Sequence, residues 1–167
     1  MGEQTQTQTT PRTGVKIPAE VLSRFADAGV DLEAMFASGH LGNRMGVELV
    51  EATADRVVGT LPVEGNTQPY GLLHGGASAV LAEHLGSIGA TLYAGPEKVA
   101  VGVELSCTHH RGKRSGTVTG TATPVHRGRT MATYEVIITD DQDRRVCTSR
   151  LTCLIRDAAP NKDAASD

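Results

Sequence analysis

Tryptophan is absent from this chain, and 167 residues contain only two phenylalanines and three tyrosines. So few aromatic faces argue against a stacking platform for single-stranded nucleic acid. Positive charge is not in excess either. Sixteen basic against 19 acidic residues leave a net charge of −3, so no global field draws in DNA, RNA or an anionic membrane. Cysteine is scarce and odd in number. Cys107, Cys147 and Cys153 form no CxxC pair, which argues against a disulfide framework and a structural zinc site. No run of about 18 apolar residues occurs, so no membrane-spanning helix is expected. The opening MGEQTQTQTTPRTG is polar and does not read as a signal peptide. A cytoplasmic protein is the expectation.

What is present is an ordinary globular composition, 39% hydrophobic and 21% charged, long enough for one domain with a real core. Residues 1–16 are Gln- and Thr-rich and read as a disordered tail. A domain follows over 17–156, then a polar, flexible tail over 157–167. Within the domain, Val21, Leu22, Phe25, Leu32, Met35 and Phe36 recur at helix spacing over 18–38, with Gly29 placed to split the segment. Two strands are expected between Met45 and Val63, turning near Ala54-Asp55. A long helix from about His74 to Tyr93 ends at Gly95-Pro96. Beyond it Val99, Val101, Val103, Leu105 and Cys107 alternate with Ala100, Gly102, Glu104 and Ser106, the clearest period-two pattern in the chain. Three further strands are expected over 116–125, 130–139 and 145–155. Six strands in hairpins imply an antiparallel sheet, and one apolar helix is available to cover it. The fold class is α+β: a curved six-stranded antiparallel sheet wrapped around one long central helix, a hotdog-like architecture.

The stretch from Asn66 to Ala90, NTQPYGLLHGGASAVLAEHLGSIGA, concentrates the chemistry. Glu83 sits among Val80, Leu81, Ala82 and Leu85, where an unpaired carboxylate costs several kcal/mol. A place at the helix's one exposed edge would relieve that cost without any function. Ser87, four residues on, shares its face and can hold it or a water. Gly75-Gly76 at the helix start leaves backbone N–H groups at the positive end of the dipole, open to close approach by a carbonyl oxygen; a tight turn alone would also use two glycines. Gly75 and Glu83 lie about 12 Å apart along one helix. Both must come within about 3 Å of one reacting group to share a site. If they do, they come from different chains, and the protein is a dimer with two equivalent sites.

The run Q-P-Y-G-L-L-H-G-G-A-S-x-x-L-A-E resembles that of the hotdog-fold acyl-CoA thioesterases of the phenylacetate-pathway (PaaI-like) family. The closest likeness is to the branch of 1,4-dihydroxy-2-naphthoyl-CoA hydrolases and glutamate-type 4-hydroxybenzoyl-CoA thioesterases. The likeness spans Met45 to Arg156. It implies hydrolysis of an acyl-CoA, with Glu83 as nucleophile or general base and the Gly75 N–H as oxyanion donor. It further implies that His74 and Gln68 position the acyl carbonyl and that Ser87 places water. The substrate's CoA is expected against Gly102, His109, His110, Arg111 and Gly112, and against His126, Arg127, Gly128, Arg129 and Thr130. No metal or cofactor is implied, coenzyme A being part of the substrate. A homodimer with shared sites, assembled into a homotetramer, is the implied state. His109 and His110 near Cys107 fall on opposite faces of a strand, which speaks against a metal site. His84, beside the glutamate, and the N-terminal helical segment depart from the family pattern.

Two other readings remain open on the residues. One is a hotdog acyl-thioester dehydratase or hydratase, which releases no free thiol. The other is a non-catalytic acyl-CoA sensor, although the N-terminal helical region is not basic enough for DNA.

Overall fold

The computed structural model describes residues 16–37 and 41–158. The expected tails therefore fall outside the described residues, except at their inner ends. Lys16, the last residue assigned to the N-terminal tail, donates its N–H to the Val50 carbonyl (3.1 Å) and accepts from the Ala52 N–H (3.1 Å). It lies parallel to Glu51.

Two short helices follow, α1 (Ala19–Ala26) and α2 (Leu32–Ala37). Pro18 precedes α1, and Gly29 at φ 76° breaks the run where expected. Phe25 and Leu32 turn into the core, each 2% exposed. A one-turn helix, α3 (Leu41–Arg44), was not anticipated; four residues are too few for periodicity to register. Strands β1 (Glu48–Ala52) and β2 (Val57–Pro62) form a hairpin. Its turn is held by Thr53, whose Oγ1 accepts from the Arg56 N–H at 2.9 Å.

Helix α4 (Gly75–Ala94) is the centre of the fold. The His74 imidazole Nδ1 accepts from the Gly76 N–H at 2.8 Å and caps its start. Gly95, at φ 85°, ends it. Four long strands follow: β3 (Lys98–His109), β4 (Thr117–Arg127), β5 (Met131–Thr139) and β6 (Arg145–Asp157). All pairings between strands are antiparallel, in the order β1-β2-β4-β5-β6-β3. The curved sheet wraps α4 as expected of the fold class.

Helix and sheet interlock through missing side chains. Gly59 and Gly120, paired across β2 and β4, leave room for Leu85; a Cβ on either would lie 2.8 or 2.7 Å from its methyl carbons. In return Gly86 and Gly89 of α4 admit Leu151 and the Tyr134 ring. The Tyr134 hydroxyl lies 2.7 Å from the Ala54 carbonyl and 2.9 Å from that of Gly89, tying the β1–β2 turn to the helix. Burial pushes the phenol up to about 12.

The β3 alternation differs from the expected one. Gly102 pairs with Cys153, but Glu104 pairs with Thr152, so Val103 is the extra residue of a bulge. The bulge exchanges the two faces. Ala100 and Gly102 face α4 before it, and Leu105, Cys107 and His109 face α4 after it. Val99, Val101 and Val103 turn outward, 41%, 43% and 56% exposed. On β5 and β6 the expected apolar faces, Ala132-Tyr134-Val136-Ile138 and Cys147-Leu151-Cys153-Ile155, are buried.

Candidate active site

Glu83 lies two turns into α4, on the side that meets edge strand β3. Its carboxylate occupies the space where a Gly102 side chain would be, with Cδ 3.2 Å and Oε2 3.4 Å from the position of a Cβ there. The absent side chain gives the carboxylate a notch leading towards the open edge of the sheet. Partial burial raises the Glu83 pKa, and a hydrogen bond from Ser87, one turn further along, opposes that rise. Beneath them, burial and the Glu83 charge push the Cys153 thiol up to about 11.

The other end of the arrangement is the start of α4. Gly75 carries no Cβ because the His109 ring stands there, its Nε2 2.9 Å from where one would sit. The expectation of two open N–H groups needs correction. The Gly76 N–H is taken by His74 Nδ1, and that of Ala77 by the His74 carbonyl at 2.9 Å. The Gly75 N–H has no hydrogen-bond partner among the described residues. His74, an exposed residue, spends its Nδ1 on the cap.

A cleft of about 340 Å³ opens at this end. Gln68, Leu73, Gly75, Ser78, His109, His110, Arg111 and Gly112 are among the residues that line it. The loop before α4 is fixed by Asn66, whose Nδ2 donates to the Met45 carbonyl (2.7 Å) and the Pro62 carbonyl (2.9 Å). Its own carbonyl accepts from the His74 N–H at 2.8 Å. Asn66 and Ser78 were not singled out from the sequence. Ser78, 2% exposed, lies three residues after Gly75 and so near its helix face; that spacing was the available signal.

The two stretches expected to hold coenzyme A lie apart in the chain. His109–Gly112 borders the cleft at the start of α4. The β4–β5 hairpin, His126 to Thr130, lies at the opposite end, where Arg127 stacks on Tyr93 at 5.4 Å and pairs with Asp55 at 2.7 Å. Of the basic residues near the cleft, Lys113 is bound to Asp141 (2.5 Å) and Arg114 donates to the Tyr70 carbonyl (3.2 Å). Arg111 makes no ion pair among the described residues. His109 faces Gly75, whereas His110 lies 2.9 Å from Thr148 Oγ1 on the outer face. No group of three or more His, Cys, Asp or Glu side chains able to hold a metal occurs among the described residues. Nor is any helix there long and apolar enough to cross a membrane.

A curved six-stranded antiparallel sheet around one long central helix is the hotdog fold shared with thioesterases. The chain belongs to the thioesterase superfamily, whose pattern it matches over residues 70–147. It is similar to the proofreading thioesterase EntH of Cronobacter turicensis, 44% identical over 127 residues, covering 74% of this chain and 93% of that protein. EntH of Cronobacter sakazakii is 47% identical over 120 residues, covering 70% and 82%. Among solved structures, a thioesterase from Haemophilus influenzae superposes with a TM-score of 0.72 at 32% identity, covering 77% of this chain and 90% of that one. A mutant thioesterase from Pseudomonas aeruginosa gives 0.70 at 35% identity, covering 77% and 96%.

Proposed function

We propose that this enzyme hydrolyses a small aromatic acyl-CoA, of the hydroxybenzoyl or 1,4-dihydroxy-2-naphthoyl type, at sites shared by two copies of the chain. The observation that carries the reading is the Glu83 carboxylate, half-buried in the Gly102 notch at an uncovered sheet edge, on the helix that opens with the Gly75 N–H. Glu83 acts as general base. It takes a proton from water, the water oxygen bonds to the thioester carbon, and the oxyanion is held by the Gly75 N–H. Collapse breaks the C–S bond, and the thiolate leaves and is protonated. A carboxylate whose pKa is raised by burial is a better base near neutral pH than an exposed one.

The shared site follows from distance. Gly75 and Glu83 are about 12 Å apart on one helix, so each needs the other from a second copy. Glu83 marks position 102 of β3, and Gly75 marks position 109. Two β3 edges paired antiparallel with Ser106 on the two-fold axis set Glu104 of one copy against Thr108 of the other, and the extra residue of the Val103 bulge then sets position 102 of one copy against 109 of the other. That pairing also covers a 12-residue edge strand bearing three exposed valines. It brings one copy's cleft towards the other copy's β4–β5 hairpin, so that Arg111 and Arg129 can serve one coenzyme A. Two such dimers form the tetramer.

The test is thiol release from a panel of aromatic and aliphatic acyl-CoAs by wild type and Glu83→Gln. Loss of roughly 10²-fold or more in kcat in the folded variant supports the role of Glu83; near-full activity refutes it. Product without free thiol would mean hydratase chemistry, and binding without turnover a sensor. In ¹⁸O water, label entering Glu83 itself would replace the base by a nucleophile. Ser106→Asp sets like charges side by side at the two-fold axis, and it should yield inactive monomers by sedimentation.

A further inference from the structure

We infer that the Ser78 hydroxyl is a second hydrogen-bond donor to the thioester oxyanion, acting beside the Gly75 N–H. The inference rests on the reading of that N–H as the oxyanion donor. Ser78 lines the cleft at the start of α4 and is only 2% exposed. Its hydroxyl makes no hydrogen bond among the described residues. Every side-chain nitrogen or oxygen sealed from solvent among those residues does have a partner. The trace of surface that Ser78 keeps therefore belongs to its hydroxyl, and that surface faces the cleft.

A helix serine with no ligand to serve has an ordinary use for its proton. It turns back to the carbonyl four residues earlier, which here belongs to His74. That carbonyl already accepts the Ala77 N–H at 2.9 Å and the Ser78 N–H at 3.3 Å, and the hydroxyl does not join them. Ser78 lies three residues after Gly75, on the same face of α4. The Cα–Cβ bond of a helical residue tilts towards the N-terminus, so the hydroxyl reaches back over the turn that begins with Gly75. Burying a hydroxyl without a partner works against the fold. Alanine would fill the position without that penalty, so the hydroxyl is of use there only to a ligand.

The lining of the cleft says what that ligand group is. Gln68, His109 and Arg111 can donate, Leu73 and Val146 are apolar, and no carboxylate lines it. Negative charge that develops at the helix start therefore meets donors and the positive end of the α4 dipole. An oxyanion accepts more than one hydrogen bond, and donors held in place before the charge forms stabilise it most. Ser78 meets that condition, since its backbone is fixed within α4 and only the hydroxyl rotates. The steps of hydrolysis are unchanged. No bond at Ser78 is made or broken, and the hydroxyl keeps its proton throughout.

The experiment is the steady-state kinetics of thiol release over the acyl-CoA panel for wild type, Ser78→Ala, Ser78→Cys and Ser78→Thr. Ser78→Ala should lose on the order of 10²-fold in kcat. Its KM should stay within about threefold of wild type, because the bond matters in the transition state and not in the ground state. The loss should be equal for every acyl group, since the oxyanion is common to all of them. Ser78→Cys keeps the volume but donates weakly, and it should fall nearly as far. Ser78→Thr keeps the hydroxyl and should come within about tenfold of wild type. The melting temperature of Ser78→Ala should equal or exceed that of wild type. Wild-type kcat in Ser78→Ala overturns the inference. So does a raised KM at unchanged kcat, and so does a loss confined to acyl groups bearing a hydroxyl, which would set Ser78 against the acyl ring. If Ser78→Ala is too unstable to assay, Ser78→Cys carries the same comparison. The two levels separate cleanly. A wild type that releases no thiol overturns the hydrolase reading and this inference with it, whereas wild-type kcat in Ser78→Ala beside an inactive Glu83→Gln overturns the second donor alone.

Discussion

Gly102→Ala is the sharpest test of the notch that holds the carboxylate. The new methyl would enter space occupied by Glu83, with Cδ 3.2 Å and Oε2 3.4 Å away and Oε1 nearer still. The obstacle is the end of a flexible side chain, so the fold can yield by turning Glu83 aside. Gly102 is exposed and in a strand, and alanine is at ease there. Stability should therefore change little, with Tm within about 3 °C of wild type. Catalysis should suffer more. A carboxylate displaced by about 1 Å from its working position costs on the order of 10²-fold in rate, equivalent to about 2.7 kcal/mol of transition-state stabilisation. The assay is thiol release under saturating substrate, with circular dichroism melting as the control. Val101→Ala, on the outer face of the same strand, should remain within about threefold of wild type. Wild-type kcat in Gly102→Ala would refute the claim that the notch sets the carboxylate's position.

Other outcomes follow from the same packing and charges. Because Glu83 is protonated more readily folded than unfolded, its ionised form works against the fold. Activity should fall as pH drops through a pKa above 4.5, and Glu83→Gln should be more stable than wild type at pH 7 by denaturant titration. Tyr134→Phe removes the hydroxyl shared by the Ala54 and Gly89 carbonyls and should cost roughly 1–3 kcal/mol, read from urea unfolding. Asp140 is held at about 2, against 3.8 unperturbed, chiefly by the Arg144 side chain hydrogen-bonded to it. Its stabilisation is complete above pH 3.8 and is lost as pH falls towards 2. Asp140→Asn should therefore flatten the wild-type decline in stability over that window.

Much of the architecture could be read locally. The β1–β2 turn, the break at Gly29, and the limits of α4 at His74 and Gly95 all depend on residues within a few positions of each other. So does the alternation along β5 and β6, both of which pack on the same helix. The placing of Glu83 and Ser87 on one face is a property of the helical repeat alone. The resemblance supplied the reaction and named the residues, and family membership bears out the thioester hydrolase.

The rest waited for the folded chain. The bulge at Val103 exists because β3 pairs with β6 in two offset registers. A strand carries no local mark of its partner's register, so uninterrupted alternation was the natural and mistaken reading of its valines. Likewise, nothing near position 83 announces that residue 153 lies beneath it, or that the His109 ring covers Gly75. The engagement of Arg127 by Asp55 and Tyr93 joins positions more than 30 residues apart. The sequence by itself determined the elements, the faces of α4 and the chemical types available, because these follow from short-range periodicity and capping. Tertiary structure alone decided which groups touch Glu83 and which strand edge stays open, because contacts between distant segments depend on register and close packing.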